Sequence, residues 1–212
     1  MMSSTATKNH REPPVEPAEW NVRKEHELSS TIPGGDRYFI ALAHQIPRQT
    51  KPQALAILTD WLSQGPDSFL ARGLRALGHR NLQVQGQAPF PGTSTPGLLL
   101  VEVWEERVPS PGQAPRKVES TIKKLLAAAA DLGPTLDEFN QAAARARGRR
   151  SKALASPLDL AHHLALACSV MQQSPTQAMR TTVHVTRGEV HELARKLFVD
   201  SQRSIVSSRR RR

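Results

Sequence analysis

The chain has 212 residues, 38% of them hydrophobic and 16 of them proline, which is enough for one large domain or two small ones with irregular stretches between elements. A single cysteine, Cys168, excludes an intrachain disulfide, and the apolar runs fall short of the ~20 residues a membrane-spanning helix needs. The net charge of +10 is confined to one end: residues 1–144 hold 15 basic and 15 acidic side chains, whereas residues 145–212 hold 14 basic and 4 acidic.

The first 30 residues are polar and proline-bearing and read as a disordered or draped N-terminal arm. No apolar run follows a basic start, so no secretory signal is visible and a cytoplasmic location is expected. Ordered structure is expected over residues 31–208. "RYFIALAHQIP" (37–47) predicts a strand ended by Pro47. In residues 50–65, Ala54, Leu55, Leu58, Trp61 and Leu62 recur at helical spacing, with Thr50 as cap and Gly65 as stop. Residues 67–78 repeat the pattern with Phe69, Leu70, Leu74 and Leu77, between Asp67 or Ser68 and Gly78. "NLQVQGQA" (81–88) alternates, and "LLLVEVWEE" (98–106) predicts a second strand, with Val101 and Val103 inward and Glu102 and Glu105 outward.

Helices dominate the remainder. Residues 115–133 are amphipathic through Val118, Ile122, Leu125 and Leu126, and Gly133 stops them. Thr135-x-x-Glu138 opens the next helix (135–155) as a capping box, in which each side chain satisfies a free N–H of the other residue. Ser156 and Pro157 start another (156–173), in which Cys168 reads as a buried, inert thiol. Thr186-x-x-Glu189 is a second capping box, followed by an apolar stripe of Val190, Leu193, Ala194 and Leu197, and "RSIVSS" (203–208) predicts a closing strand. The order predicts an α+β fold: a mostly antiparallel sheet, paired as a meander, with helices packed on one face. Residues 209–212 form a basic tail.

Two clusters, "RARGRR" (145–150) and "RRRR" (209–212), can meet phosphates. No aromatic residue interleaves them as a base-stacking platform requires, so a solvated helix face and tail are the simpler reading, with nucleic-acid or polyanion binding as the alternative.

His191-Glu192 is the first half of an H-E-x-x-H zinc helix, but Arg195 stands where the second histidine belongs. A permanent positive charge there repels zinc. None of the eight histidines completes H-E-x-x-H or the inverted H-x-x-E-H. His162 and His163 are adjacent, so on a helix their rings diverge by about 100°. Catalytic and metal-ligating residues in this chain are therefore expected to be none.

Two stretches, "TLDEFNQAAARARGRRSKALASPLDLAHHLAL" and "VTRGEVHELARKLFVDSQRSIV", together with the element order, resemble a homology domain of the pitrilysin/insulinase family, zinc peptidases with the inverted H-x-x-E-H motif. The resemblance covers about residues 30–208 and implies the LuxS/mitochondrial-processing-peptidase-like metallohydrolase fold. It also implies a non-catalytic homology domain, with zinc held by a homologous partner subunit and a peptide as substrate. In such domains an arginine after leucine at a helix end, and a tyrosine seven residues on, reach the substrate. Leu74-Arg75 matches the first, which makes Arg75 the candidate substrate-binding residue, and Leu82 stands where the tyrosine is expected.

Overall fold

The computed structural model describes residues 28–30, 38–47, 50–90, 97–105, 115–165, 168, 174–179, 184–198 and 203–208. Among the described residues five strands, β1 (Leu28–Ser30), β2 (Tyr38–Gln45), β3 (Leu82–Phe90), β4 (Leu98–Glu105) and β5 (Arg203–Ser208), form one sheet in the order β1-β5-β2-β4-β3. Pairing is antiparallel except between β1 and β5. The helices are α1 (Pro52–Ser63), α2 (Phe69–Ala76), α3 (Pro115–Leu132), α4 (Leu136–Ala155), α5 (Pro157–Ala165), α6 (Pro175–Met179) and α7 (Arg187–Leu197).

The α+β class and the antiparallel character agree with the sequence reading, but the meander does not. β4 pairs with β2 and leaves its hairpin partner β3 outermost, because α1 and α2 intervene between β2 and β3. β5 then pairs along the other side of β2, so the most distant segment of the chain sits beside the first long strand. The last three residues of the supposed arm are also a strand, β1, joined to β5. The rest of the arm, residues 1–27, and the tail, 209–212, lie outside the described residues.

Alternation along the strands sorts the two faces. Ile40, Leu42, Leu99, Val101 and Val103 are buried on one side, and Ile205 pairs opposite Leu42 in the same row. Leu58, Leu62, Leu70, Leu74, Ile122, Leu126, Val190 and Leu197 supply the helical half of this core. Glu102 takes the outward position expected of it, between the buried Val101 and Val103, and the Glu105 side chain lies outside the described residues. Gly86 faces α1 so closely that a Cβ there would lie 2.0 Å from Ser63 Oγ.

Both capping boxes form. Thr135 Oγ1 accepts from the Glu138 N–H at 3.2 Å and Glu138 accepts from the Thr135 N–H at 2.9 Å. Thr186 and Glu189 repeat the exchange at 3.2 and 2.7 Å. Other local readings are corrected. Thr50 does not cap α1; Pro52 occupies a first-turn position, Lys51 becomes the cap residue, and the Thr50 hydroxyl donates to the Pro47 carbonyl. Leu77, expected on an apolar face, lies beyond the end of α2 and is exposed. The helix begun at Pro157 is described as far as Ala165, residues 166–167 and 169–173 of the expected helix lie outside the described residues, and Cys168 is half-buried, where a buried thiol was expected.

Candidate functional site

Arg75 lies in the last turn of α2, with its side chain 44% exposed. Its guanidinium folds back over its own helix, donating to the Pro66 carbonyl and lying 3.5 Å from Asp67 Oδ1. Leu82 opens β3 on the opposite side of the turn at 78–81 and is buried in the core. The structure therefore puts the two positions in different environments, one solvent-facing and polar, the other apolar.

A groove of about 820 Å³ lies elsewhere, where the start of α1 meets the first half of α7. Pro47, Ala54 and Leu193 line it beside Lys51, Glu189, Glu192 and Lys196. The carboxylate of Glu189 meets the Lys51 ammonium and the Thr186 N–H there, so the partial positive charge of the α7 start is already met from within the chain. The Lys51 hydrogen bond is the main reason the Glu189 carboxyl titrates far below its ordinary range, at about 2. The other cap glutamate repeats the device, since Glu138 pairs with Arg72 of α2. Burial opposes ionisation of Glu138, but hydrogen bonds from Arg72 and the Thr135 N–H outweigh it and lower its pKa. Each cap thus does two things: it starts a helix, and it ties that helix to another.

Two of the histidines serve packing. His191 Nε2 donates to the Ala130 carbonyl at 2.8 Å, near the end of α3, and its ring closes over Gly133. His44, on β2, is buried and donates through Nδ1 to the Leu197 carbonyl at 3.0 Å, with its ring edge-on to Phe198. Among the described residues no three His, Cys, Asp or Glu side chains come together as metal ligands. These residues do not fit a zinc ion: His191 is turned to a helix carbonyl, and its i+4 neighbour is Arg195.

The arginine cluster at 145–150 has an internal partner that its spacing did not reveal. Asp60 of α1 is completely buried, accepting from Arg145 Nε at 3.0 Å and from Arg149 Nη2 at 2.6 Å. The i, i+4 spacing puts both guanidiniums on one face of α4. They neutralise a carboxylate inside the α1–α4 contact.

With this geometry in view, the comparisons with known proteins are specific. The backbone superimposes on a protease from Helicobacter pylori with a TM-score of 0.70 and 18% identity, over 90% of this chain and 45% of that one. The fold is that of a pitrilysin-type peptidase domain. A peptidase M16 inactive domain from Pseudomonas fluorescens matches with a TM-score of 0.60 and 18% identity, over 86% of this chain and 41% of that one. An inactive peptidase domain from Bordetella parapertussis matches with a TM-score of 0.64 and 15% identity, over 85% of this chain and 96% of that one. This chain spans less than half the length of the Helicobacter structure. No family model matches the sequence, and no curated protein matches it. Among the described residues no helix is long and apolar enough to cross a membrane.

Proposed function

We propose that this chain is the non-catalytic subunit of a heterodimeric zinc metallopeptidase. A homologous subunit carrying H-x-x-E-H supplies the zinc and the general base. This chain completes the chamber and positions the peptide, and on its own it cleaves nothing. The observation that carries the reading is the pairing of a pitrilysin-type fold, shared with inactive peptidase domains, with a sequence in which no zinc motif can be assembled. Maturation of a precursor peptide suits a domain of this kind, since positioning a flexible substrate contributes much of the rate in such chemistry.

Arg75 is the substrate contact in this proposal. Its exposed guanidinium can hold a peptide carbonyl or carboxylate by charge-assisted hydrogen bonds, once it leaves Pro66 and Asp67. With leucine at position 82, no phenol at that position assists it. The test is co-expression with an H-x-x-E-H chain of the same fold, followed by a peptide cleavage assay. Activity that needs both chains supports the proposal. Cleavage by the zinc-bearing chain alone, at the same rate, overturns it.

A further inference from the structure

Between Glu138 and Asp159 the chain carries five basic side chains and no acidic one. They do not share one face of α4. At about 100° per residue, Arg145, Arg149 and Lys152 fall on one exposed stripe, whereas Arg147 and Arg150 turn to the other flank. The stripe is held from below. Asp60 accepts from Arg145 Nε and Arg149 Nη2, yet the two arginine side chains stay 42% and 50% exposed. One carboxylate against two guanidiniums leaves a positive remainder, and each guanidinium keeps most of its N–H donors unspent. Holding the side chains in place also removes rotamer freedom that binding would otherwise have to remove.

Most of the stripe has a reason inside the fold. Arg145 and Arg149 answer Asp60, and Lys152 stands in the last turn of α4, where the helix dipole favours a cation. Gly148 has no such reason. It lies inside α4, where glycine weakens a helix relative to alanine, and a Cβ there would meet open space. Residues three and four apart are neighbours on a helix surface, so Gly148 lies between Arg145 and Lys152, beside Arg149. It leaves bare backbone between three cations, and that gives an outside group room to approach the helix closely.

We propose that this stripe binds the phosphodiester backbone of duplex nucleic acid, with phosphates seated over Gly148 and held by Arg145, Arg149 and Lys152. From Arg145 to Lys152 the helix rises about 10 Å. One strand of a duplex presents a phosphate every ~3.4 Å of its axis, so three cations meet about three phosphates. The guanidinium fork matches phosphate oxygens in pairs. With no aromatic side chain in the stripe, the contact is to the backbone and carries no base sequence. The proposal is independent of the heterodimer reading above.

The test is fluorescence anisotropy of a short labelled DNA duplex of mixed sequence, titrated with the full chain between about 50 and 200 mM salt. The wild-type chain should bind in the micromolar range, with a slope of log K against log salt of about −3. Gly148→Glu sets a carboxylate in the middle of the stripe without a steric clash, so it should bind at least about tenfold more weakly, with a shallower slope. Gly148→Ala should raise the melting temperature and still weaken binding, by a smaller factor. If Gly148→Glu proves less stable than wild type, Lys152→Gln carries the test and should make the slope shallower by about one. No binding by the wild-type chain at the lowest salt overturns the proposal. So does equal binding by wild type and Gly148→Glu, with affinity lost instead on deleting residues 209–212. Polyglutamate that displaces the duplex as well as unlabelled DNA does also overturns it, since the stripe would then answer to negative charge of any kind.

Discussion

Replacing Asp60 by asparagine keeps the shape of the side chain and removes its charge. Asp60 is wholly buried, and its two oxygens each accept one arginine hydrogen bond, from Arg145 and from Arg149. A hydrogen bond to a charged group contributes roughly 1.5–3 kcal/mol, and removing one partner of a buried ion pair costs about 3–5 kcal/mol. The arginine side chains are 42% and 50% exposed, so water screens part of the attraction, and asparagine keeps one acceptor. The expected loss is therefore near the low end, about 3 kcal/mol. For a chain of this size that lowers the melting temperature by roughly 6–12 °C. Thermal unfolding followed by circular dichroism measures it. The cycle with Arg145→Ala/Arg149→Ala separates the interaction from side effects: in that background Asp60→Asn should cost little or help, because it then removes an unpaired buried charge. A loss under about 0.5 kcal/mol in the wild-type background, typical of a surface substitution, would refute the reasoning.

Gly133→Ala should destabilise by about 1–3 kcal/mol, since residue 133 has φ +64° and a Cβ would lie 2.6 Å from His191 Cγ; adding His191→Ala should recover the steric part and leave the backbone part. Gly86→Ala should unseat β3 from α1 and cost at least as much by urea denaturation, because the nearest atom, Ser63 Oγ, is itself buried. The Glu189 carboxyl titrates at about 2 in the folded chain, below its ordinary 4.5. A depressed folded pKa means its contribution is complete above pH 4.5 and fades as the pH falls towards 2. The melting temperatures of wild type and Glu189→Gln should therefore differ at neutral pH and converge in acid; a gap that stays constant with pH would rule out Lys51–Glu189 pairing as its source. In the co-expressed pair, Arg75→Ala should lower kcat/KM at least about tenfold, the scale of one lost charge-assisted contact. Unchanged cleavage would remove Arg75 from the substrate site.

Much of the local architecture could be read directly from residue patterns. Thr135 with Glu138 and Thr186 with Glu189 are close in sequence, so the requirement they meet, partners for free helix N–H groups, is local too. The same holds for the inward row Val101 and Val103. The broken zinc motif at His191 was also legible, because four residues of helix decide it. What His191 does instead was not: its partner, Ala130, lies 61 residues away, and a backbone carbonyl leaves no mark in the sequence.

The order of the strands belongs to the tertiary structure as well. A meander and the observed β2-β4-β3 arrangement use the same strand sequences, and only the placement of α1 and α2 against β3 separates them. Likewise, "RARGRR" declares its charge but not its destination. That Arg145 and Arg149 share a buried carboxylate, Asp60, 85 and 89 residues away, is visible only in the fold. Sequence alone determined the helix caps, the strand period and the break in the zinc motif at Arg195, since each depends on neighbours within one turn or one strand. Which charges are neutralised and which strands lie side by side were decided by contacts between distant segments, and those exist only once the chain has folded.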